Sequence, residues 1–452
     1  MRTDCNKPIV HFTPLARRQV TAQFDAGAIS SDGGVVLLRE VDRQINLLDR
    51  VDPLIRDPRN PEFIEHDQRT MLAQRVLAIA CGWEDLNDHH TLRNDSVLQL
   101  ATDRKASGGN KGQGDVDPDR PLASAPTLHR LENRVDRRAC VDINKLLVEL
   151  YVESHQSNPP KEIILDFDST DDLIHGKQEG RFFHGYYGNY CYLPLYVFAG
   201  EQLLCAYLRP SNIDDAKHSW AILALITRRL RQEWPDVKII FRGDSGFCRW
   251  RMLRWCDRHG VDYIVGLAKN SRLIAMSKTL MDEAEKRFKQ TGEKQRLFGD
   301  LLYAAGTWDR QRRVIARIEH AAKGANPRYV VTTLEGDVQM LYEQVYCARG
   351  EMENRIKEQQ LGLFADRTSC QRFIANQFRL LLSSLAYVLI ETLRRTHLAG
   401  TELARAQAGT IRLKLLKIGA LVQRSVRRIV IHLSGAFPLQ ELVQSLAVQL
   451  SG

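Results

Sequence analysis

The sequence contains no C-x-x-C pair. Its nine cysteines (Cys5, Cys81, Cys140, Cys191, Cys205, Cys248, Cys256, Cys347 and Cys370) are scattered, so neither a zinc site nor a disulfide framework is indicated, and a reducing cytoplasm fits best. An apolar leader core is missing as well: Met1 to Val20 carries Pro8, His11, Pro14 and arginines, which argues against secretion. Long hydrophobic runs are also lacking. The most apolar helix candidate, Leu380 to Ile390, is flanked by Arg379 and Glu391 and is too short to span a bilayer, so no membrane segment is expected.

What is present points to a globular, multidomain chain. With 452 residues and 44% hydrophobic side chains, two or three cores can be filled. Lys and Arg number 64 against 55 Asp and Glu, a net charge of +9 and a pI near 9.1. That balance permits binding of nucleic acid or another polyanion.

Residues 19–41 read as an extended piece, a turn at Asp32 to Gly34 and the start of a helix. The run from Asp67 to Ala80 spaces Met71, Leu72, Val76, Leu77 and Ile79 as one helical stripe, and a further helix is expected over 92–102. Asp88, His89 and His90 read as a turn, since adjacent histidines on a helix point to different sides. Residues 105–121, rich in Gly, Asp and Pro, read as a mobile loop or linker. Ser124 then caps a helix with Pro126 in its first turn, decorated by Arg130, Arg134, Arg137 and Arg138. These arginines read as a DNA-contacting or simply solvated basic face.

Strands are expected at 163–168, 191–198 and 203–208, followed by a helix capped by Asn212 or Asp214 whose inward face carries Ile222, Leu223, Ile226 and Leu230. A strand at 237–241, a helix at 249–259 and a strand at 262–267 complete β-β-β-α-β-α-β. This α/β pattern is of the ribonuclease-H-like kind, which offers active groups at the ends of neighbouring strands. Residues 270–340 break it and read as a β-rich insertion, with a helix at 278–290, strands at 313–318 and 329–333, and Trp308 in the turn before the first of these. The expected division is a helical region 1–155, a catalytic domain 156–370 with its insertion near 270–340, and a helical, basic region 371–452. In the last, Phe378, Leu381, Leu382, Leu385 and Leu389 form an apolar stripe. Arg412, Lys414, Lys417, Arg424, Arg427 and Arg428 follow without an intervening acid, a candidate phosphate-contact segment.

The chemistry-bearing residues are acids at element ends. Asp166 and Asp168 alternate with Leu165 and Phe167 and so share one strand face. Their charges repel unless neutralised, and a hard divalent cation is the usual answer. A second apolar strand ends in Asp244. Tyr346, Arg349 and Glu353 then lie on one face of a helix running to about Leu363, with Arg349 one turn before Glu353. Asp168, Asp244 and Glu353 thus stand in the order strand, strand, helix. Such a triad suits a site with two Mg²⁺ ions, Mn²⁺ being the alternative, about 3.5 to 4 Å apart, which activate a water or 3′-hydroxyl and stabilise the leaving oxygen.

SSDGGVVLLREVD, NDHHTLRND, LASAPTLHRLENRV, LDFDSTDD with HGKQEG, RGDSGF and GTELARAQAGTIRLKLLKIGA together resemble DDE transposases of the 1380 family of bacterial insertion sequences, relatives of the insertion-sequence 4 group. The resemblance covers nearly the whole chain. It implies binding of the element's terminal inverted repeats, cleavage of the ends, joining of 3′ ends to target DNA, and a homodimer or larger assembly on double-stranded DNA. It makes Asp168 the first acid, with Asp166 as fallback. The wider group is similar in carrying Tyr, Arg, Glu and Lys around its third acid. Tyr346, Arg349 and Glu353 match, Gln360 stands at the lysine position, and Lys357 is the substitute one turn after Glu353. In related transposases an inserted β region contributes a Trp that stacks on an extruded base, which makes Trp308 the candidate. Other readings are a ribonuclease-H-like nuclease without strand transfer, a DNA-binding relative without catalysis, and a glycosidase with paired carboxylates.

Overall fold

The computed structural model describes residues 9–103 and 120–451; the linker expected at 105–121 falls almost wholly outside them. The chain forms two compact units, residues 133–384 and residues 1–132 with 385–452. The sequence division put its borders at 155 and 370 instead.

The unit 133–384 is built on an eight-stranded sheet. Its strands are β1 Glu162–Ser169, β2 Leu195–Ala199, β3 Gln202–Tyr207, β4 Lys238–Gly243, β5 Asp262–Leu267, β6 Gln295–Tyr303, β7 Arg312–Ala321 and β8 Gly324–Thr332, in the spatial order β6-β7-β8-β5-β4-β1-β2-β3. β1, β4 and β5 run parallel, and every other pairing is antiparallel. The expected β-rich insertion supplies three strands, and they extend the same sheet through the β5–β8 pairing.

Alternation along β1 sorts its side chains. Ile163, Leu165 and Phe167 enter a core in which Phe167 meets Phe241 and Phe247 edge to face, with centroids 5.1 and 6.3 Å apart. That face is covered by helices α1 Arg137–Ser154, α2 Ser219–Glu233, α3 Trp250–Arg258 and α4 Lys278–Thr291. On the other face Ile164, Ile240, Ile264, Ile315 and Val330 pack against Leu341 and Tyr342. These two belong to the wide π-helical turn Leu341–Tyr346, which leads through Cys347–Arg349 into helix α5 Gly350–Lys357. The layer that brings Tyr346, Arg349 and Glu353 thus lies on the same sheet face as Asp166 and Asp168.

Several local expectations shift. The single strand expected at 191–198 is broken at Leu193 and Pro194 into Asn189–Tyr192 and β2. Helix α2 starts at Ser219 behind His218, whose φ is +71°, while Asp214 accepts from the Ala216 amide and pairs with Arg249. The basic helix expected after Ser124 is two helices, Ala125–Arg134 and α1, divided at Asp136, which caps the second by accepting from the Ala139 amide. The long apolar helix runs Phe373–Thr392 and continues to His397, so it is long enough by length and composition to cross a bilayer, but 83% of its most apolar window is buried in the protein, as in a core helix.

In the unit of residues 1–132 and 385–452, the helix Gln68–Cys81 is buried on nearly every side rather than along one stripe. Neither terminal region is wholly helical: Val10–Leu15 and Arg18–Ala22 form a hairpin, and Ile29–Ser30, Ala420–Arg424 and Ile429–Leu433 form a three-stranded sheet. The SSDGG segment has a packing reason. The amides of Gly33 and Gly34 donate to the carbonyls of Ile418 and Leu416, and a Cβ on Gly34 would lie 1.8 Å from the Leu415 carbonyl oxygen. Two of the motifs that carry the family resemblance therefore press backbone against backbone.

Candidate active site

β1 ends at Ser169 and β4 at Gly243, neighbouring parallel strands in which Gly243 pairs with Phe167. This register places Asp168 and Asp244 at one edge of the sheet. Asp168 is buried, and its Oδ1 accepts from the Ser169 amide at 2.9 Å. Asp244 is half-buried and caps a short turn, its Oδ1 accepting from the Gly246 amide at 2.8 Å. Arg349 joins two of the three acids: Nη1 donates to Asp168 Oδ2 at 2.9 Å and Nη2 to Glu353 Oε1 at 2.9 Å. An i, i+4 pair that would count for little on an open surface here ties a helix to a strand 181 residues away.

Charge around Asp168 is unbalanced. Burial, first, and the charges of Asp244 and Glu353 raise its carboxyl to about 7, against the lowering pull of Arg349 and the Ser169 amide. Arg349 is itself held above its ordinary value: burial opposes its charge, but Asp168, Tyr346, Glu353 and Asp244 outweigh that cost. Burial likewise pushes the Tyr346 phenol up to about 12.

Asp166, the fallback acid, is occupied. Arg242 grips it from β4, with Nη2 to Oδ2 at 2.7 Å and Nε to Oδ1, and Nη1 donates to the Val345 carbonyl. Asp166 therefore anchors the turn that carries Tyr346 and Arg349, and the register favours Asp168 at the site. Gln360, standing where the wider group has Lys, donates from Nε2 to Asp172 Oδ1 at 2.9 Å and to the Asp171 carbonyl at 3.1 Å. It fastens the segment just after Asp168. Asp172 is fully buried, and burial holds its carboxyl well above the usual range. Lys357 is exposed one turn after Glu353.

Two groups escaped the sequence reading. Arg242 was visible inside RGDSGF but carried no role. Gly266, inside the apolar strand β5, leaves room for the site: a Cβ there would lie 2.6 Å from the Tyr346 hydroxyl and 2.8 Å from the Ser245 amide nitrogen. A glycine inside a strand pattern is the signal that marks such a close approach.

The candidate DNA contacts are dispersed. Trp308 does not stand free; it is half-buried, 5.5 Å from Tyr303 edge to face, with the Arg312 guanidinium 5.3 Å from its ring centre. Arg412 donates to the carbonyls of Ala80 and Ile79 at the end of the helix Gln68–Cys81. Lys417 pairs with Asp32 at 2.6 Å and lies over the Trp83 ring. Both are half-buried and engaged within the protein. Lys414 is 3.8 Å from Glu402, and Arg424 donates to the Ser96 carbonyl at 3.3 Å. Arg427 and Arg428 are exposed at the tip of the hairpin Ala420–Leu433. Arg130 is exposed and Arg134 half-buried. His89 is buried against Gln74 and Arg75, and burial, then Arg75, lower it to about 2, so it is a neutral structural group.

The family profile described as Transposase DDE domain group 1 matches residues 12–451. The chain belongs to this family of DDE transposases. Its business is DNA transposition, a recombination reaction, and the family implies a metal-dependent activity. No curated protein matches. Among solved structures the chain is similar to the piggyBac transposase in a cryo-EM synaptic complex with hairpin DNA, at 9% identity over 86% of this chain and 80% of that one, with a TM-score of 0.40. For a divalent metal of the kind DDE transposases generally use, the donor set is suitable: hard carboxylate oxygens, one of them lacking enough counter-charge. Among the described residues no three His, Cys, Asp or Glu are grouped closely enough to hold an ion. In this arrangement the Arg349 guanidinium supplies the positive charge between Asp168 and Glu353.

Proposed function

We propose that the chain is the transposase of an insertion sequence of the 1380 family. It binds the terminal inverted repeats of its element, cuts the ends and joins the 3′ ends to target DNA, as a dimer or larger assembly in the bacterial cytoplasm. The observation that carries this reading is the bridge Asp168–Arg349–Glu353 beside Asp244, at the edge of a sheet whose order β3-β2-β1-β4-β5, with β1, β4 and β5 parallel, supports a ribonuclease-H-like core.

Asp168, Asp244 and Glu353 would hold divalent ions, Mg²⁺ or Mn²⁺, which when bound activate water or a 3′-hydroxyl and stabilise the leaving oxygen. The chain's own groups set the stage for that chemistry. Burial of Asp168 excludes water from one side of the site. Arg349 keeps Glu353 beside Asp168 until another cation shares their charge. Arg242, through Asp166 and the Val345 carbonyl, fixes the turn from which Tyr346 and Arg349 project. Lys357 stands where it can meet a phosphate, and the exposed Arg427, Arg428 and Arg130 supply phosphate contacts away from the acids.

The test is cleavage and strand transfer of a labelled DNA bearing the element's own end, comparing the wild type with Asp244→Asn and Glu353→Gln. Both variants should bind the end and neither should cut or join it. Variants as active as the wild type would overturn the site, and a wild type that hydrolyses but never joins would make the chain a nuclease.

A further inference from the structure

The chain's first two strands, Val10–Leu15 and Arg18–Ala22, form a hairpin that no core holds: every residue from Ile9 to Ile29 is exposed. None of the DNA contacts expected from the sequence falls on it. An isolated two-stranded ribbon is at best marginally stable in water, so its order calls for a partner. Pairing of Val10 with Ala22, His11 with Thr21 and Phe12 with Val20 sorts its side chains into two faces. One face carries Val10, Phe12, Val20 and Ala22. The other carries His11, Gln19 and Thr21, all able to hydrogen-bond. Arg17 and Arg18 stand exposed at the tip, and the segment from Ile9 to Phe24 has no Asp or Glu. At its root, Ile29 and Ser30 pair with Leu421 and Ala420. The ribbon therefore leaves the same small sheet as the hairpin Ala420–Leu433, whose tip exposes Arg427 and Arg428.

A second copy of the chain is a poor fit for this ribbon. It would bring Arg17 and Arg18 against their own counterparts or against Arg427 and Arg428, with no carboxylate in either hairpin to balance them. Four apolar side chains also fall short of the surface, about 800 Å² per side, that a stable interface buries. Double-stranded DNA fits better: it supplies the negative charge, and its major groove, about 12 Å wide, admits a two-stranded ribbon. We infer that the hairpin Val10–Ala22 lies in the major groove of the element's terminal repeat and reads its base edges through His11, Gln19 and Thr21, with Arg17 and Arg18 on flanking phosphates. Arg427 and Arg428 hold the register by backbone contact, and the ribbon supplies the sequence information that such contacts lack. This rests on the transposase reading and adds where the end is recognised, on the unit that does not carry the acids.

The experiment uses the full chain, without divalent ions, and two labelled duplexes: the element's own end, and one of the same composition in scrambled order. Wild type should prefer the end and protect guanine N7 atoms within it, which lie in the major groove, from dimethyl sulfate. Gln19→Ala and Thr21→Ala should each lose roughly tenfold in affinity for the end, with weakened N7 protection and the scrambled duplex bound as before. Thr21→Val, which keeps the shape, should show the same loss. Arg17→Glu with Arg18→Glu should weaken binding of both duplexes and lower the salt slope by about one unit per residue. These side chains are exposed, so thermal melts should match wild type. If the variants keep preference and protection, the ribbon's role is refuted and the transposase reading survives. If wild type does not distinguish the duplexes, both fail. If wild type prefers the end but leaves N7 open, the groove assignment is overturned. If the variants change only the oligomeric mass in light scattering, the ribbon meets a second copy and the inference is overturned.

Discussion

Replacing Asp168 by Asn should abolish cleavage and at the same time make the protein more stable at neutral pH. The carboxyl is buried, and its value in the folded chain is about 7 against an ordinary 3.8. The folded state therefore binds the proton more tightly than the unfolded one, so stability falls as pH rises from near 4 to near 7. At 1.36 kcal/mol per unit, the charged form costs the fold up to about 4 kcal/mol at pH 8. Asparagine keeps the shape and an oxygen for Arg349 but never ionises. In urea melts run in chelator, the variant should lead the wild type by only about 1 kcal/mol at pH 4.5. They should then separate with rising pH until the variant leads by a few kcal/mol at pH 8, on the order of 8 °C in a thermal melt. A divalent cation should narrow the gap by stabilising the wild type alone. A difference that does not change with pH, or a variant less stable than wild type at pH 8, would refute the argument that Asp168 is held with too little counter-charge.

Other substitutions probe the supports of the site. Gly266→Ala should lower stability by about 1–3 kcal/mol and reduce activity, with partial recovery on adding Tyr346→Phe, because backbone atoms of Ser245 and Asp244 also stand in the way of a Cβ; a double-mutant cycle on melting midpoints and rates measures this. Gly34→Ala should cost about 3 kcal/mol or more, since the obstacle is the Leu415 carbonyl at 1.8 Å rather than a yielding side chain; failure to accumulate as folded protein is the readout. Arg427→Glu with Arg428→Glu should weaken DNA binding and flatten its salt dependence by about one unit of slope per residue, measured by titration at several salt concentrations. Arg412→Ala should instead destabilise the protein, because Arg412 serves the carbonyls of Ala80 and Ile79; a thermal melt checks that.

What the sequence revealed and what it hid follow from the range over which each signal acts. The alternation of Ile163, Leu165 and Phe167 with Asp166 and Asp168 is a local consequence of strand geometry, and so is the placement of Asp244 just after an apolar strand. Which of Asp166 and Asp168 is committed to Arg242 is decided 76 residues away, and no spacing rule reaches that far. The strands of 295–332 were recognisable as strands, but β8 joins the main sheet through β5, a partner outside that segment. The apolar stripe from Phe378 to Leu389 suggests a helical region, but beyond it the β-branched run Ile429, Val430 and Ile431 favours the hairpin that forms. Arg412 and Lys417 read as free cations because their partners, two helix-end carbonyls and Asp32, lie more than 300 residues earlier in the chain.

The division of the chain bears on its synthesis. Residues 133–384 form a unit from one uninterrupted stretch, whereas the other unit is assembled from segments on either side of it. On a ribosome adding roughly 5–20 residues per second, the acid-bearing unit can complete its fold while the first helices, among them the thoroughly buried Gln68–Cys81, still lack the strand and turn at 412–424 that close over them. Those helices wait on the order of ten seconds or longer with their inward faces uncovered, which makes the early segment the natural client of a chaperone. A nascent chain halted after residue 384 would then resist protease over its sheet while its first 132 residues are digested.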